Sequence, residues 1–489
     1  MNASRKVKAT MALSSLLLSV ILAGCEVGPD YTPPKTELAQ FHNVNDAGAK
    51  DVKSAVQLET WWTGFNDPLL VKLVDRALKQ NLDISAALAR VDQARAGAES
   101  AGAALLPTAD LNGSVGYSHQ SLKSANGSVS HNASGYQRDA WDKAVGPVAS
   151  WEIDLFGGLR RGAAAAANSA EAAQAEEAGT RVIVAADTAD AYMQVRGYQA
   201  RIAVAEAQVK IDQQLLDLIH NRYDSGEATE LEIAQAEALL KDAKASLPPL
   251  RLALERQLNR LDVLLGAQPG TFAHELGLVK DIPEVPAFSG TEQASEILRR
   301  RPDIIAAERH LAASNERIGE AISDYYPKIS ISGALGLDSI SASHFFSPAA
   351  FGALGSGALR WRIFDFGKVD SEVAQAKGEN AEALASYKQT VLKACEDVEN
   401  ALAAMIQTQL HIAELQGQVE SLTRVQALSQ TAYQAGSITL TDVLDANRQL
   451  LAAEDALDTN RADAARASVA AFRAFGGGWD PGVPTIASK

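Results

Sequence analysis

Apolar and polar residues alternate along two stretches of the chain that each follow a proline. The first stretch follows Pro107 and the second follows Pro327, and the alternating apolar positions are Leu111, Gly113, Val115 and Tyr117, then Ile329, Ile331, Gly333, Leu335 and Leu337. Returning limbs at about 145–156 and 354–366 alternate less cleanly. A period of two predicts a β-strand, so each stretch with its limb predicts one β-hairpin. Strands of about ten residues have the length that a tilted transmembrane strand needs.

A helical pattern follows each predicted hairpin. Residues 157–223 and 367–433 contain no proline, and apolar residues recur there at steps of three and four. Such spacing predicts helices of roughly 65 residues, about 100 Å long at 1.5 Å per residue. Shorter return helices are expected at about 230–265 and 440–475. Pro248 and Pro249 are expected to break the first of them and to change its curvature relative to the second.

The chain is internally duplicated. "RYDSGEATELE" from Arg222 and "AYQAGSITLTD" from Ala432 are 210 residues apart, as are Trp151 and Trp361, whereas the two prolines before the strands are 220 apart. We therefore predict a first repeat at 67–270 (β-hairpin about 108–156, helical hairpin about 157–266) and a second at 291–477 (β-hairpin about 328–366, helical hairpin about 367–476). A linker at 271–290 and a tail at 478–489 complete this division. The ten-residue difference is expected in a loop, because loops absorb length changes.

The duplicated stretch is predicted to be the tip of each helical hairpin. Gly226 and Gly436 suit the left-handed position that ends a helix. Thr229 with Glu232, and Thr439 with Asp442, fit a capping box that starts the next helix. These local roles leave Asp445 unexplained, since its counterpart in the first repeat is Gln235.

The N-terminus has the parts of a secretory signal. Three basic residues precede a short apolar run that ends in "LAGC" at Cys25. This ending resembles the lipobox of bacterial lipoproteins, which implies a signal peptide at 1–24, a lipidated Cys25 and a lipidated N-terminal segment at 25–66. A plain signal peptide with a stray thiol is the alternative.

Composition excludes several classes of function. The net charge is −15 without a long basic run, which argues against a nucleic-acid partner. The eight histidines show no metal-ligand spacing and the two cysteines cannot build a disulfide framework. We find no nucleophile-elbow pattern, and the glycines of residues 352–357 have the wrong spacing for a dinucleotide loop. The sequence therefore predicts neither an enzyme nor a cofactor or metal site.

Two β-hairpins are too few to form a barrel. No stretch after the signal is long and apolar enough for a membrane helix, so entry into a membrane would require β-strands. The smallest natural barrels need about eight strands, and an open sheet in lipid would leave costly edges. Either the hairpins lie outside a membrane, or several chains share one barrel. Three chains would supply twelve strands.

The combined motifs resemble the lipoprotein branch of TolC-type outer-membrane efflux channels. The resemblance rests on the lipobox, "CEVGPDYTPP", the duplicated hairpins, "DLFGG" with "FDFGK", and "AYQAGSITLTDVLDA", and it covers about residues 25–479. It implies a mainly α fold with a transmembrane β-barrel portion, in which a homotrimer builds a 12-stranded barrel on an α-helical barrel. It also implies a lipid-anchored protein of the outer membrane that extends into the periplasm, with a periplasmic adaptor and an inner-membrane efflux pump as partners.

The resemblance also implies a gate at the helical tips. Asp442 and Asp445 match residues that ring the closed periplasmic entrance, and Tyr433 matches a tyrosine of the gate network. Acids gathered around a threefold axis repel one another, so some of these carboxylates should resist ionisation. Ile438 stands where the best-known member has an arginine, so the resemblance does not define the exact locking bonds here.

An adaptor or scaffold lipoprotein of the periplasm is the alternative. Such a protein would also have a lipobox and a helical hairpin, but it would have one hairpin and no paired strands of membrane length. The sequence does not identify the exported compound.

Overall fold

The computed structural model describes residues 26–35, 41–43, 57–134, 136–286 and 299–480. The predicted signal peptide and Cys25 lie outside the described residues. Two compact units divide the chain: residues 1–34, 92–171 and 308–385 belong to the first, and residues 35–91, 172–307 and 386–489 to the second. Among the described residues, no helix combines the length and the apolar character needed to cross a bilayer.

The helices and strands follow one another in two similar series. The first comprises a 3-10 helix Leu58–Phe65, α1 Pro68–Gln80, α2 Leu82–Ala103, β1 Thr108–His119, α3 Ala125–Ser130, β2 Asp139–Ile153, α4 Gly158–Asp224, α5 Glu230–Leu264 and α6 Ala273–Leu276. The second comprises α7 Pro302–Ser323, β3 Lys328–Ser339, two 3-10 turns at Ala342–His344 and Pro348–Ala350, β4 Phe351–Arg360, α8 Lys368–Gln434 and α9 Leu440–Ala474.

The first unit contains one antiparallel sheet with the order β1-β2-β3-β4. The two hairpins have equivalent registers, with Thr108 opposite Ser150 and Lys328 opposite Arg360. The ten extra residues of the first repeat lie in the connector between β1 and β2, which carries α3. Directly paired residues share a face of a sheet. Odd-numbered residues such as Leu111, and Ile331 on β3, form a mainly apolar face, and even-numbered residues form a mainly polar one.

The second unit contains the central parts and tips of the helical hairpins. Trp61 is fully buried there and stacks on Phe472 of α9, with ring centroids 5.3 Å apart. The buried Asn81 accepts a hydrogen bond from the backbone N–H of Asp83 at 2.8 Å and donates to the carbonyl of Leu264 at 3.0 Å. One side chain therefore starts α2 and ties it to the end of α5.

The two long helices α4 and α8 each contain 67 residues, and the return helices α5 and α9 each contain 35. The predicted break at Pro248 and Pro249 is wrong, because α5 continues through both residues. Proline fixes φ near the helical value, but inside a helix it loses the bond to the carbonyl four residues earlier and its ring crowds that carbonyl. Those carbonyls belong to Lys244 and Ala245, which are exposed, so water can bond them. The expected difference in curvature between α5 and α9 stays a prediction.

Candidate functional site

Each hairpin tip is a short turn between a long helix and its return helix. Gly226 has φ 76° and Gly436 has φ 72°, the left-handed region that favours glycine. An added Cβ would meet no atom within 4 Å at either position, so backbone conformation rather than space requires glycine. In both turns the glycine N–H donates at 2.9 Å to the carbonyl of a tyrosine, Tyr223 or Tyr433. These bonds close the last turns of α4 and α8.

The residues after each glycine start the return helix. The backbone N–H of Thr229 donates to the carboxylate of Glu232 at 2.7 Å, and the N–H of Glu232 donates to the Thr229 hydroxyl at 3.3 Å. In the second tip, Asp442 accepts from the backbone N–H of Thr439 at 2.9 Å and from its hydroxyl at 2.7 Å. The hydrogen bond from the backbone N–H of Thr229 is the main cause of the lowered pKa of Glu232. The hydrogen bond from the Thr439 hydroxyl is the main cause of the lowered pKa of Asp442.

Tyr433 joins the two tips. Its side chain is only 4% exposed, and its hydroxyl donates to Oε1 of Glu232 on the other hairpin at 3.2 Å. The guanidinium of Arg222 lies 4.9 Å from the centroid of the Tyr433 ring. Burial, followed by the charge of Glu232, raises the pKa of Tyr433. Tyr223 occupies the equivalent position in the first repeat and is 45% exposed, so the repeat has diverged into one exposed and one buried tyrosine.

An apolar cluster supports this contact between the tips. We call it the tip cluster, and its buried members are Leu215, Leu216, Ile219, Ala236, Leu239, Leu240, Tyr433, Leu440, Val443 and Leu444. Ile438, which replaces the arginine expected from the family resemblance, is partly buried against it. In this chain, therefore, position 438 contributes apolar packing, and the cation beside Tyr433 comes from Arg222.

The two aspartates of the second tip lie on α9, three residues apart and exposed, so they share one side of the helix. Asp442 has the capping bonds described above, and Asp445 accepts a hydrogen bond from the amide of Gln449 at 2.6 Å. Within the single chain the pKa of Asp442 is lowered rather than raised. Resistance to ionisation in a ring of acids concerns several chains and stays a prediction.

Sequence reasoning missed a buried acid above the tip. Asp212 on α4 is 1% exposed and accepts a hydrogen bond from the amide of Gln208 at 2.8 Å. Its Oδ2 atom has no hydrogen-bond partner among the described residues. Burial raises the pKa of Asp212 to about 6. A sequence signal existed, because Asp212 stands three, four and seven residues before Leu215, Leu216 and Ile219, on the apolar stripe of α4.

Comparison with known proteins identifies the fold of this chain and the function of proteins that share it. The sequence model of the family described as "Outer membrane efflux protein" matches residues 73–267 and 294–477. Nodulation protein T of Rhizobium leguminosarum bv. trifolii is 30% identical over 469 residues, which cover 95% of this chain and 96% of that protein. The pyoverdine export outer membrane protein OpmQ of Pseudomonas aeruginosa is 33% identical over 446 residues, which cover 91% and 92%.

Solved structures of outer-membrane channels are also similar to this chain. The outer-membrane channel OprN has a TM-score of 0.85 and 32% identity, and the match covers 94% of this chain and 100% of that one. The open state of the MtrE outer membrane channel of Neisseria gonorrhoeae has a TM-score of 0.77 and 26% identity, with 93% and 99% covered.

These similarities confirm the predicted fold class, the predicted outer-membrane location and the predicted function as the channel component of an efflux system. They give no support to the alternative of an adaptor or scaffold lipoprotein. The family is one of transport components. Because the family model covers most of the chain in two segments and relatives of similar length match it nearly end to end, the chain belongs to the outer membrane efflux protein family.

Proposed function

We propose that three copies of this chain form one channel that carries small molecules from the periplasm across the outer membrane. The observation that carries the proposal is the exposure of the two outer strands of the sheet. Every residue of β1 and of β4, the two outer strands of the four-stranded sheet, is exposed in the single chain. In lipid an unpaired edge is very costly, because no water is present to bond the free N–H and C=O groups. Three chains joined edge to edge leave no free edge.

The two faces of the sheet suit a channel wall. The apolar face, with Leu111, Val115 and Ile331, would lie against lipid, and the polar face, with Asn112 and Ser332, would line the pore. A pore lined by small polar side chains provides little selectivity between cargo molecules. We therefore assign the choice of cargo to the pump.

The long helices extend the pore below the membrane. A helix of 67 residues is about 100 Å long, far longer than a globular domain requires. We propose that α4, α5, α8 and α9 of three chains form an α-helical barrel in the periplasm, and that its tips meet a periplasmic adaptor joined to an inner-membrane pump. Relatives named as efflux pump outer membrane proteins support this arrangement.

The gate is proposed to lie at the tips. The hydrogen bond from Tyr433 to Glu232 joins the two hairpins, and Arg222 lies over the same ring, so these three residues hold the tips together. Asp442 and Asp445 are exposed beside this contact, and in a trimer they would form acidic rings at the entrance. Opening then requires that the contact between the tips be broken.

Lipidation of Cys25 would place the N-terminus at the membrane. Glu26, the next residue, forms an ion pair of 3.2 Å with the buried Arg161, and the N–H of Val27 donates at 3.2 Å to the carbonyl of Phe156, just after β2. Glu26 and Val27 are therefore held close to the end of β2. We retain the division into repeats at 67–270 and 291–477, each with one β-hairpin and one helical hairpin, as part of this proposal.

The stoichiometry and the pore can be tested together. The full-length protein extracted in mild detergent is expected to have about three times the mass of the processed chain, and to form pores in planar lipid bilayers. A stable monomer with full pore conductance would refute the shared barrel.

The acidic entrance has a separate test. Asp445 has no capping bond, so Asp445→Asn should leave the trimer intact while it weakens cation selectivity and cation block from the periplasmic side. The measurement is the reversal potential in a bilayer under a salt gradient, and Ser330→Asn, on the polar face of β3, is the control. An unchanged Asp445→Asn together with an altered Ser330→Asn would place the selective region in the barrel instead.

A further inference from the structure

The buried Asp212 lies beside the tip cluster. On α4 it precedes Leu215 and Leu216 by three and four residues, the spacing of side chains that are neighbours on a helix surface. Both leucines are buried members of the tip cluster, which also contains residues of α5, α8 and α9. The cluster therefore joins the two helical hairpins, and Asp212 is its acidic neighbour on the first of them.

The carboxyl group of Asp212 lacks the surroundings that an ionised carboxylate needs. The residue is 1% exposed, one oxygen accepts the hydrogen bond from Gln208 at 2.8 Å, and the other oxygen has no partner among the described residues. An ionised carboxylate has room for about four hydrogen bonds, and a charge that is buried without partners costs free energy. The neutral acid therefore fits this place better than the carboxylate.

The groups that act on Asp212 from the packed helices are polar or acidic. Burial is the main cause of its raised pKa, and Gln208 of α4 opposes it. From α9, the uncharged side chain of Asn447, which is 3% exposed, also lowers the pKa. From α5, the negative charge of the exposed Asp242 raises it further. The charge that acts on this carboxyl group is therefore one that opposes its ionisation.

We propose that Asp212 is a proton-binding site that couples closure of the tips to proton uptake. The closed tip holds the neutral acid. Opening separates the hairpins and divides the tip cluster, so water reaches the carboxyl group beside it; the O–H bond then breaks, the electron pair stays on the carboxylate and the proton passes to water. This inference rests on the proposed gate at the tips and adds the site through which pH acts on that gate.

The sign of the effect follows from the difference between the closed and the open tip. Burial raises the pKa of Asp212 to about 6 in the closed tip, whereas the ordinary value is 3.8. A raised pKa stabilises the closed state as the pH falls through about 6. Between pH 8 and pH 5 the equilibrium should shift about tenfold per chain towards the closed state, and about a thousandfold if three tips open together.

The response of Asp212 lies in a different pH range from that of Glu232. The pKa of Glu232 is lowered from its ordinary value of 4.5, so Glu232 keeps its charge and its hydrogen bonds at pH 5. A fall from pH 8 to pH 5 therefore changes the charge of Asp212 without breaking the contact between Glu232 and Tyr433.

Single-channel recording tests the coupling. The open probability of the full-length trimer is measured in planar bilayers at pH 8 and at pH 5, with the same pH on both sides. Wild type should open at least about tenfold less often at pH 5, whereas Asp212→Asn, whose amide does not titrate, should change by no more than about twofold. Asp217→Asn is the matched control, because Asp217 also accepts from a glutamine four residues earlier, Gln213 at 3.1 Å, but is exposed. It should respond as wild type does.

Gln208→Leu gives a second test in a chain that keeps Asp212. Gln208 lowers the pKa of Asp212, so loss of its amide should move the midpoint of the pH response to higher pH. This measurement decides the matter if Asp212→Asn does not assemble, and a midpoint that stays in place or moves to lower pH would count against the proposal.

The other outcomes separate this inference from the proposed function. A full pH response in Asp212→Asn overturns the proton site, and a response that is lost in Asp445→Asn instead assigns it to the acidic entrance. A conducting trimer with the same open probability at pH 8 and pH 5 overturns the coupling while the channel stands. A protein with the mass of a monomer overturns the proposed function itself.

Discussion

Removal of the Tyr433 hydroxyl should open the channel without unfolding the tip. In Tyr433→Phe the ring keeps its place in the tip cluster, and Glu232 keeps the hydrogen bonds from Thr229. Only the hydrogen bond from Tyr433 to Glu232 is lost. A hydrogen bond to a charged group contributes about 1.5–3 kcal/mol, and at 3.2 Å this one is longer than the usual range, so we expect about 1 kcal/mol per chain.

The three copies in one channel amplify this effect. If the tips open together, three bonds contribute about 3 kcal/mol, which corresponds to about a hundredfold shift of the equilibrium towards the open state. Tips that open independently would shift only about fivefold each. The assay is the open probability of single channels in planar bilayers, with Tyr223→Phe, the exposed equivalent of Tyr433, as the matched control.

The contact between Tyr433 and Glu232 also predicts how the open probability changes with pH. The pKa of Glu232 is lowered mainly by the capping bond from Thr229 and to a smaller extent by the bond from Tyr433. The stability that these bonds add is present above the ordinary pKa of 4.5 and is lost as the pH falls through the lowered pKa, and the part from Tyr433 belongs to the closed tip. Wild-type channels should open more often in that acid range, and Tyr433→Phe channels should respond less. If wild-type, Tyr223→Phe and Tyr433→Phe channels all have the same open probability, the bond from Tyr433 to Glu232 does not hold the gate.

Three further predictions concern the anchor, the sheet and the buried acid. Cys25→Ser should abolish metabolic labelling with palmitate, and labelling that persists would rule out this residue as the lipidation site. Val115→Arg, on the apolar face of β1, should reduce the yield of trimer through a cost of about 2–4 kcal/mol per chain near the bilayer midplane. Ser114→Arg on the polar face should not reduce it, and equal losses in native mass measurements would contradict the assignment of the faces. Asp212→Asn should remove a pH dependence of stability: burial raises the pKa of Asp212 to about 6, so wild type gains stability as the pH falls through 6 towards 3.8, by up to about 3 kcal/mol. Thermal unfolding at pH 5 and pH 8 should show about 1.4 kcal/mol of this gain, because pH 5 lies one unit below the raised pKa. An equal difference in wild type and Asp212→Asn would contradict it.

Much of the secondary structure is determined locally and could therefore be predicted. Alternation after Pro107 and Pro327 predicted strands that the structure places at Thr108–His119 and Lys328–Ser339. The long helices were predicted to within a residue or two because each stretch lacks proline and has its glycine turn at the end. The error at Pro248 and Pro249 arose because proline lowers helix propensity on average, whereas exposed carbonyls on a long packed helix tolerate the loss of two bonds.

The sequence by itself determined the duplication, the two kinds of hairpin and the tip turns, because each depends on residues close together in the chain. Only the tertiary structure decided which of two equivalent tyrosines is buried, that Glu232 and Arg222 contact Tyr433 about two hundred residues away, and that Asp212 is buried. It also fixed the register of β2 against β3. These features depend on how one repeat packs against the other, and equivalent sequences acquire different surroundings once they occupy different places in the fold.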